Sequence, residues 1–152
     1  MIDQFHELLQ ELGNKLGITL HPDKHGACKL NINQASYVQL EYEPSHHRIL
    51  IATFICEIPP GKLRENILRD GLKANFPFPE HGTLCYCERN NQLTLFSYLP
   101  FSGITGDKLA VEFHYFVEKA QKWREAVESG QTHALVGSTP KTQDANPFGL
   151  KR

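Results

Sequence analysis

The run Ile49-Leu50-Ile51-Ala52-Thr53-Phe54-Ile55-Cys56 constrains this chain more than any other. Read as a strand, it sends Ile49, Ile51 and Ile55 to one face and Leu50, Ala52, Phe54 and Cys56 to the other, so both faces want burial. It reads as the central strand of a sheet. A chain of 152 residues has only enough helix to cover one side of such a sheet. The second apolar face then needs a partner, a dimer mate or a ligand, or shade from its own loops.

The flanking sequence supplies the rest of that sheet and its cover. Phe5, Leu8, Leu9, Leu12 and Leu16 recur at the spacing of one helical face, and Gly17 suits the stop. After a turn holding Pro22, Asp23 and Gly26, residues 28–33 and 38–42 alternate apolar with polar as two half-buried strands. Pro59-Pro60-Gly61 ends the central strand and opens a helix of about 13 residues. Its seam is Leu63, Ile67, Leu68 and Leu72, while Arg64, Glu65, Arg69 and Asp70 are expected to face water.

A turn at residues 77–82 precedes a hairpin, with Leu84 and Tyr86 in one strand, Leu93 and Leu95 in the other, and Arg89-Asn90-Asn91 between. Leu93-Thr94-Leu95-Phe96-Ser97-Tyr98-Leu99-Pro100 then gives way to a long amphipathic helix carrying Leu109, Phe113, Phe116, Ala120 and Trp123. It starts near Thr105 to Asp107, where a capping oxygen and an acidic residue suit the exposed amides, and ends near Ser129-Gly130. The expected fold is α+β: a five-stranded antiparallel twisted sheet with three helices, in the order α-βββ-α-ββ-α.

Composition bounds the function. With 40% apolar and 22% charged residues, one domain over residues 1–129 is expected. Residues 130–152 are polar and poor in apolar side chains apart from Leu135, Phe148 and Leu150, and are expected to form a flexible tail. No run approaches the roughly 20 residues of a membrane span, and Asp3, His6 and Glu7 break up a signal-peptide core, so a cytosolic location is expected. The net charge of −1 gives no field for a nucleic acid backbone. Residues 1–129 hold 13 basic and 16 acidic side chains and the tail three and one, leaving a mildly acidic body and a basic tail.

Chemistry-bearing residues are few. Cys85 and Cys87 share one face of a strand, and His81 lies four residues before the first, so a thiolate–imidazole metal site is conceivable. The paired ligand spacing of structural zinc is missing, and small reduced thiols packed in strands are the expected state of Cys28, Cys56, Cys85 and Cys87. His46-His47 is expected in a surface turn. No nucleophile elbow, phosphate-cradling loop or helix-borne histidine pair appears. A binding protein without metal or cofactor is expected rather than an enzyme. The alternatives are a small α+β enzyme or metal-binding domain using His81, Cys85 and Cys87, and a dimerisation module without a client.

The amphipathic first helix, the three strands, Leu72-Lys73-Ala74-Asn75-Phe76 and Gly82-Thr83-Leu84 come in a telling order with residues 93–100, Phe116, Ala120 and Trp123-Arg124. Over residues 1–129 this order resembles the class I type III secretion chaperones, the CesT-like family, although that family is usually more acidic. The resemblance implies a bacterial cytoplasmic homodimer that holds the N-terminal region of a secreted effector in extended form, without ATP. The export ATPase of the secretion apparatus would be a further partner.

The resemblance also implies two surfaces. Leu63, Ile67, Leu68 and Leu72, with Leu84 and Tyr86, would build a two-fold dimer interface, because a leucine seam can complement itself. Phe5, Leu9, Leu30, Leu40, Ile49 and Ile51 would line the effector groove, with strand addition at a sheet edge supplying main-chain hydrogen bonds.

Overall fold

The structure is a computed structural model, and it describes residues 2–33 and 36–136. The expected order of elements is present: α1 (Ile2–Leu16), β1 (Ala27–Asn33), β2 (Ser36–Glu43), β3 (Arg48–Glu57), α2 (Lys62–Ala74), β4 (Thr83–Cys87), β5 (Gln92–Pro100) and α3 (Gly106–Ser129). Two 3-10 turns, Pro44–His46 and Thr132–Leu135, are added to it. The strands pair antiparallel throughout in the spatial order β1-β2-β3-β5-β4. The strand apolar on both faces, β3, is therefore central.

Alternation settles the two faces. Ile49, Ile51, Thr53 and Ile55 are buried, and Leu40 and Leu95, which stand opposite Ile51 and Thr53, are buried with them. This face meets Phe5, Leu8, Leu9 and Leu12 of α1, Ile67 of α2, and Leu109, Phe113, Phe116, Ala120 and Trp123 of α3 in one core. Each fully buried Leu, Ile or Phe there contributes about 1.5–3 kcal/mol of transfer free energy.

The helices are tied to one another by their ends. Thr105 Oγ1 accepts from the Lys108 amide at 3.2 Å, as its position before the periodic run predicts. Glu11 of α1 adds a second cap, its Oε2 accepting from the Gly106 amide at 2.9 Å. Lys15 and Asp107 form an ion pair beside it. Gly130, at φ 70°, closes α3 in the left-handed conformation that favours glycine.

Two expectations are corrected. Asp70 does not face water: it is buried, and its Oδ2 accepts from Thr132 Oγ1 at 2.7 Å. The polar tail does not begin at residue 130 either, because Thr132 is buried by that bond and Leu135 and Val136 pack against the core. The Thr132 hydroxyl and the buried Asp70 carboxylate here satisfy each other. The remainder of the expected tail, 137–152 with Phe148 and Leu150, lies outside the described residues.

Candidate functional site

The second face of the sheet is one surface that the fold leaves to a partner. Leu50, Ala52 and Phe54 alternate onto it from β3, Phe96 and Tyr98 from β5, and Tyr37, Gln39 and Glu41 from β2. All are half-buried or exposed; several pair across the sheet, and Arg124 of α3 donates to Phe54 O at 3.4 Å. Phe96 and Tyr98 meet edge to face at 5.8 Å, the Arg48 guanidinium covers Tyr98 at 3.6 Å, and Lys29 sits over Tyr37 at 5.1 Å. Glu43 holds Arg48 through a 2.6 Å bond, which draws the Glu43 carboxyl down to about 2, with a smaller contribution from His46. An apolar centre with an aromatic and ionic rim suits a partner's aliphatic side chains.

The edges of the sheet differ. At β1, the Asp23 carboxylate accepts from the Ala27 amide at 3.0 Å and the Asp23 amide donates to Ala27 O at 2.7 Å. The Ala27 backbone thus points outward, and by alternation so do the amides and carbonyls of Lys29 and Asn31. No element of the described chain lies beside those two residues. At β4, by contrast, Asn75 receives the Leu84 amide on Oδ1 at 2.9 Å and donates Nδ2 to Leu84 O at 2.8 Å.

A third surface lies where α2 ends. A groove of about 1190 Å³ is lined by Leu72, Phe76, Phe78, Tyr115, Trp123 and Val136 among others. Leu72 is 73% exposed and Phe78 80%. Lys119 anchors the loop beside it, donating to Glu80 O at 2.6 Å and Gly82 O at 2.7 Å. Burial lowers the pKa of that lysine.

The residues expected at the effector groove are brought together, but inward. Phe5, Leu9, Leu30, Leu40, Ile49 and Ile51 are each 2% exposed or less and sit between helices and sheet. Their neighbours in sequence, one position on along β3, carry the accessible face instead. Of the expected dimer set, Ile67 and Leu84 belong to the same core, Leu63 and Leu68 are half-buried, and Leu72 and Tyr86 reach the surface. Helical spacing marks an apolar seam, but a Cβ added at Gly71 would already stand 4.0 Å from Leu84 Cβ, so the helix docks on its own β4 and its last turn projects.

His81 and the two cysteines do not converge. His81 turns toward α3, stacking on Tyr115 at 4.4 Å with Nδ1 3.6 Å from Glu112. Cys85 and Cys87 lie on the second face of β4, opposite Thr94 and Gln92. Burial raises the pKa of Cys85, as it does for Cys28 and Cys56, which keeps these thiols protonated at neutral pH. Among the described residues no group of three His, Cys, Asp or Glu could hold a metal ion, and no helix is long and apolar enough to cross a membrane. His47, expected at the surface, is half-buried, its Nδ1 2.8 Å from Tyr42 Oη and its ring against Phe101.

Asn91 is a structural hub that the sequence reads only as a turn. At φ 56° in the hairpin, it donates Nδ2 to Ile58 O and accepts on Oδ1 from Arg64 and from Tyr86 Oη. It fixes the start of α2 to the β4–β5 turn. An asparagine in a hairpin is a usual turn residue, so nothing in its type announces these long-range bonds.

The fold has solved relatives. The chain superposes on the HopA1–SchA chaperone–effector complex with a TM-score of 0.68 and 20% identity, covering 82% of this chain and 96% of that one. For the ExsC–ExsE complex the values are 0.70 and 13%, covering 84% and 96%. For the Yersinia pestis type III secretion chaperone SycH in complex with a fragment of YscM2 they are 0.61 and 20%, covering 78% and 98%. At such identities the likeness is one of fold. No curated protein matches the sequence. The model of the Tir chaperone protein (CesT) family matches residues 7–124, most of the described chain, and the protein belongs to that family.

Proposed function

We propose that this protein is a cytoplasmic type III secretion chaperone, which holds the N-terminal chaperone-binding segment of one or more effectors in extended form. The observation that carries this reading is the apolar second face of the sheet, Leu50, Ala52, Phe54 and Phe96, which among the described residues lies outside the core packed by the three helices. An extended segment lying across that face contributes alternate apolar side chains, while the open edge of β1 at residues 29–31 offers its backbone. A bound, extended segment cannot bury the same residues in its own core, so the cargo stays export-competent without ATP hydrolysis. The resulting complex is what the export ATPase receives.

The chaperone acts as a homodimer. Its two-fold contact is built by Leu72, Phe76 and Phe78 at the end of α2, with Tyr86 at its margin, because this patch contains both projecting rings and a groove that accepts them. Native mass spectrometry of the tagged protein isolated from its own host tests both parts. Two copies with one larger secreted protein are expected, and Phe96→Glu should leave the dimer and lose the cargo. A Phe96→Glu complex with cargo intact would move the binding surface off the sheet. An isolated monomer would overturn the dimer.

A further inference from the structure

The strand β4, Thr83-Leu84-Cys85-Tyr86-Cys87, is an edge strand without a single charge or proline. Edge strands expose a row of backbone groups that can pair with another copy, and proteins usually blunt them with lysine, proline or a covering element. The opposite edge, β1, carries Lys29 in its middle. What β4 has instead is Asn75, the C-cap of α2, whose side-chain oxygen and nitrogen bond the Leu84 amide at 2.9 Å and carbonyl at 2.8 Å. One carboxamide thus reproduces the donor and acceptor that a residue of a sixth strand would present. Because Leu84 points both groups away from β5, Tyr86 does so too, and these two residues make up the outward-facing set of β4.

We propose that Asn75 is an edge guard: by occupying the Leu84 position it prevents β4 from pairing antiparallel with β4 of a second copy. A second copy is the fitting occupant because an antiparallel strand pairs with itself about a two-fold axis, so one uncharged edge is its own complement. The side-chain contacts of the dimer are then made at the end of α2, and the two sheets stay separate. This assignment stands on the strand edge alone and is independent of the cargo reading.

Amide hydrogen exchange at Leu84 and Tyr86, followed against protein concentration, tests it in the full chain. In the wild type, Leu84 is protected at every concentration and Tyr86 exchanges rapidly, including in the dimer. In Asn75→Ala, Leu84 loses its protection in dilute solution, and both amides become protected together as concentration rises. Adding Tyr86→Pro, whose missing N–H belongs to the outward edge rather than to the β5 ladder, abolishes that concentrated-state protection at Leu84. Should Asn75→Ala fail to fold by circular dichroism, Asn75→Leu, which keeps the side-chain volume and loses both donor and acceptor, is read in its place. The proposal is overturned if Tyr86 of the Asn75 variant exchanges rapidly at all concentrations. Protection of Tyr86 in the wild-type dimer, or concentration-dependent protection of Leu84 that survives Tyr86→Pro in the Asn75 variant, overturns it equally.

Discussion

The guanidinium carbon of Arg48 lies 3.6 Å from the centre of the Tyr98 ring, and its Nε donates to Glu43 at 2.6 Å. Three side chains from β2, β3 and β5 are thereby locked across the end of the sheet, on the face without helices. A cation over an exposed ring is worth about 0.5–1 kcal/mol. Its larger effect is to hold Tyr98 upright at the rim of the apolar centre.

This clamp depends on pH with a definite sign. The Glu43 carboxyl titrates at about 2 in the fold, chiefly because Arg48 hydrogen-bonds its ionised form. A folded pKa below the ordinary value gives stability that is complete above pH 4.5 and disappears as pH falls through about 2. The melting temperature of wild type should exceed that of Glu43→Gln at pH 6, and the two should converge near pH 2. Because Glu43 is solvent-accessible, 1 M salt should also narrow the gap at pH 6.

Core and surface leucines should separate cleanly in denaturation. Leu9→Ala and Ile51→Ala each remove a fully buried side chain and should cost about 2–5 kcal/mol in urea unfolding. Leu72→Ala should stay within about 0.5 kcal/mol of wild type. Leu72→Glu with Phe78→Glu should instead shift sedimentation toward the monomer while circular dichroism is unchanged. A Leu72→Ala loss as large as that of Leu9 would place this residue in the monomer core.

The buried bond from Thr132 to Asp70 carries a separate expectation. Thr132→Val keeps the shape but strands the Asp70 carboxylate, and should destabilise by about 1–3 kcal/mol. Thr132→Ser, which retains the hydroxyl, should recover most of that loss. Equal stability of the valine and serine variants in urea would show that packing alone holds the turn.

The periodicities at two and 3.6 residues were sufficient for the order of elements, because each segment has one strongly apolar face. Thr105 and Gly130 marked the ends of α3 for equally local reasons. The roles of individual apolar residues were less legible. Phe5, Leu9 and Ile51 fit a groove or a core equally well by spacing, and only the packing of α1 and α3 over the helix-side face makes them core. Leu63 to Leu72 form one seam in sequence, but β4 is too short to cover its last turn.

Polar residues were the hardest to place. Asp70 sits among Arg69, Lys73 and other charged positions, and its partner Thr132 is 62 residues away. Asn75 and Asn91 have the composition of a helix end and a turn, which they are, and each also bonds across the fold to groups that only topology brings near. Long-range hydrogen bonds leave no periodic trace.

A sheet roofed on one side divides each strand's residues into two sets with different obligations. In β3, Ile49, Ile51 and Ile55 answer to the helices, and truncating them costs core packing. Leu50, Ala52 and Phe54 are only half-buried and lie outside the helix-packed core, so exchanging them for other apolar side chains should cost little in folding. The same ten-residue strand therefore carries a fixed alphabet and a variable one, interleaved letter by letter, and a change of client can be written in the second without disturbing the first.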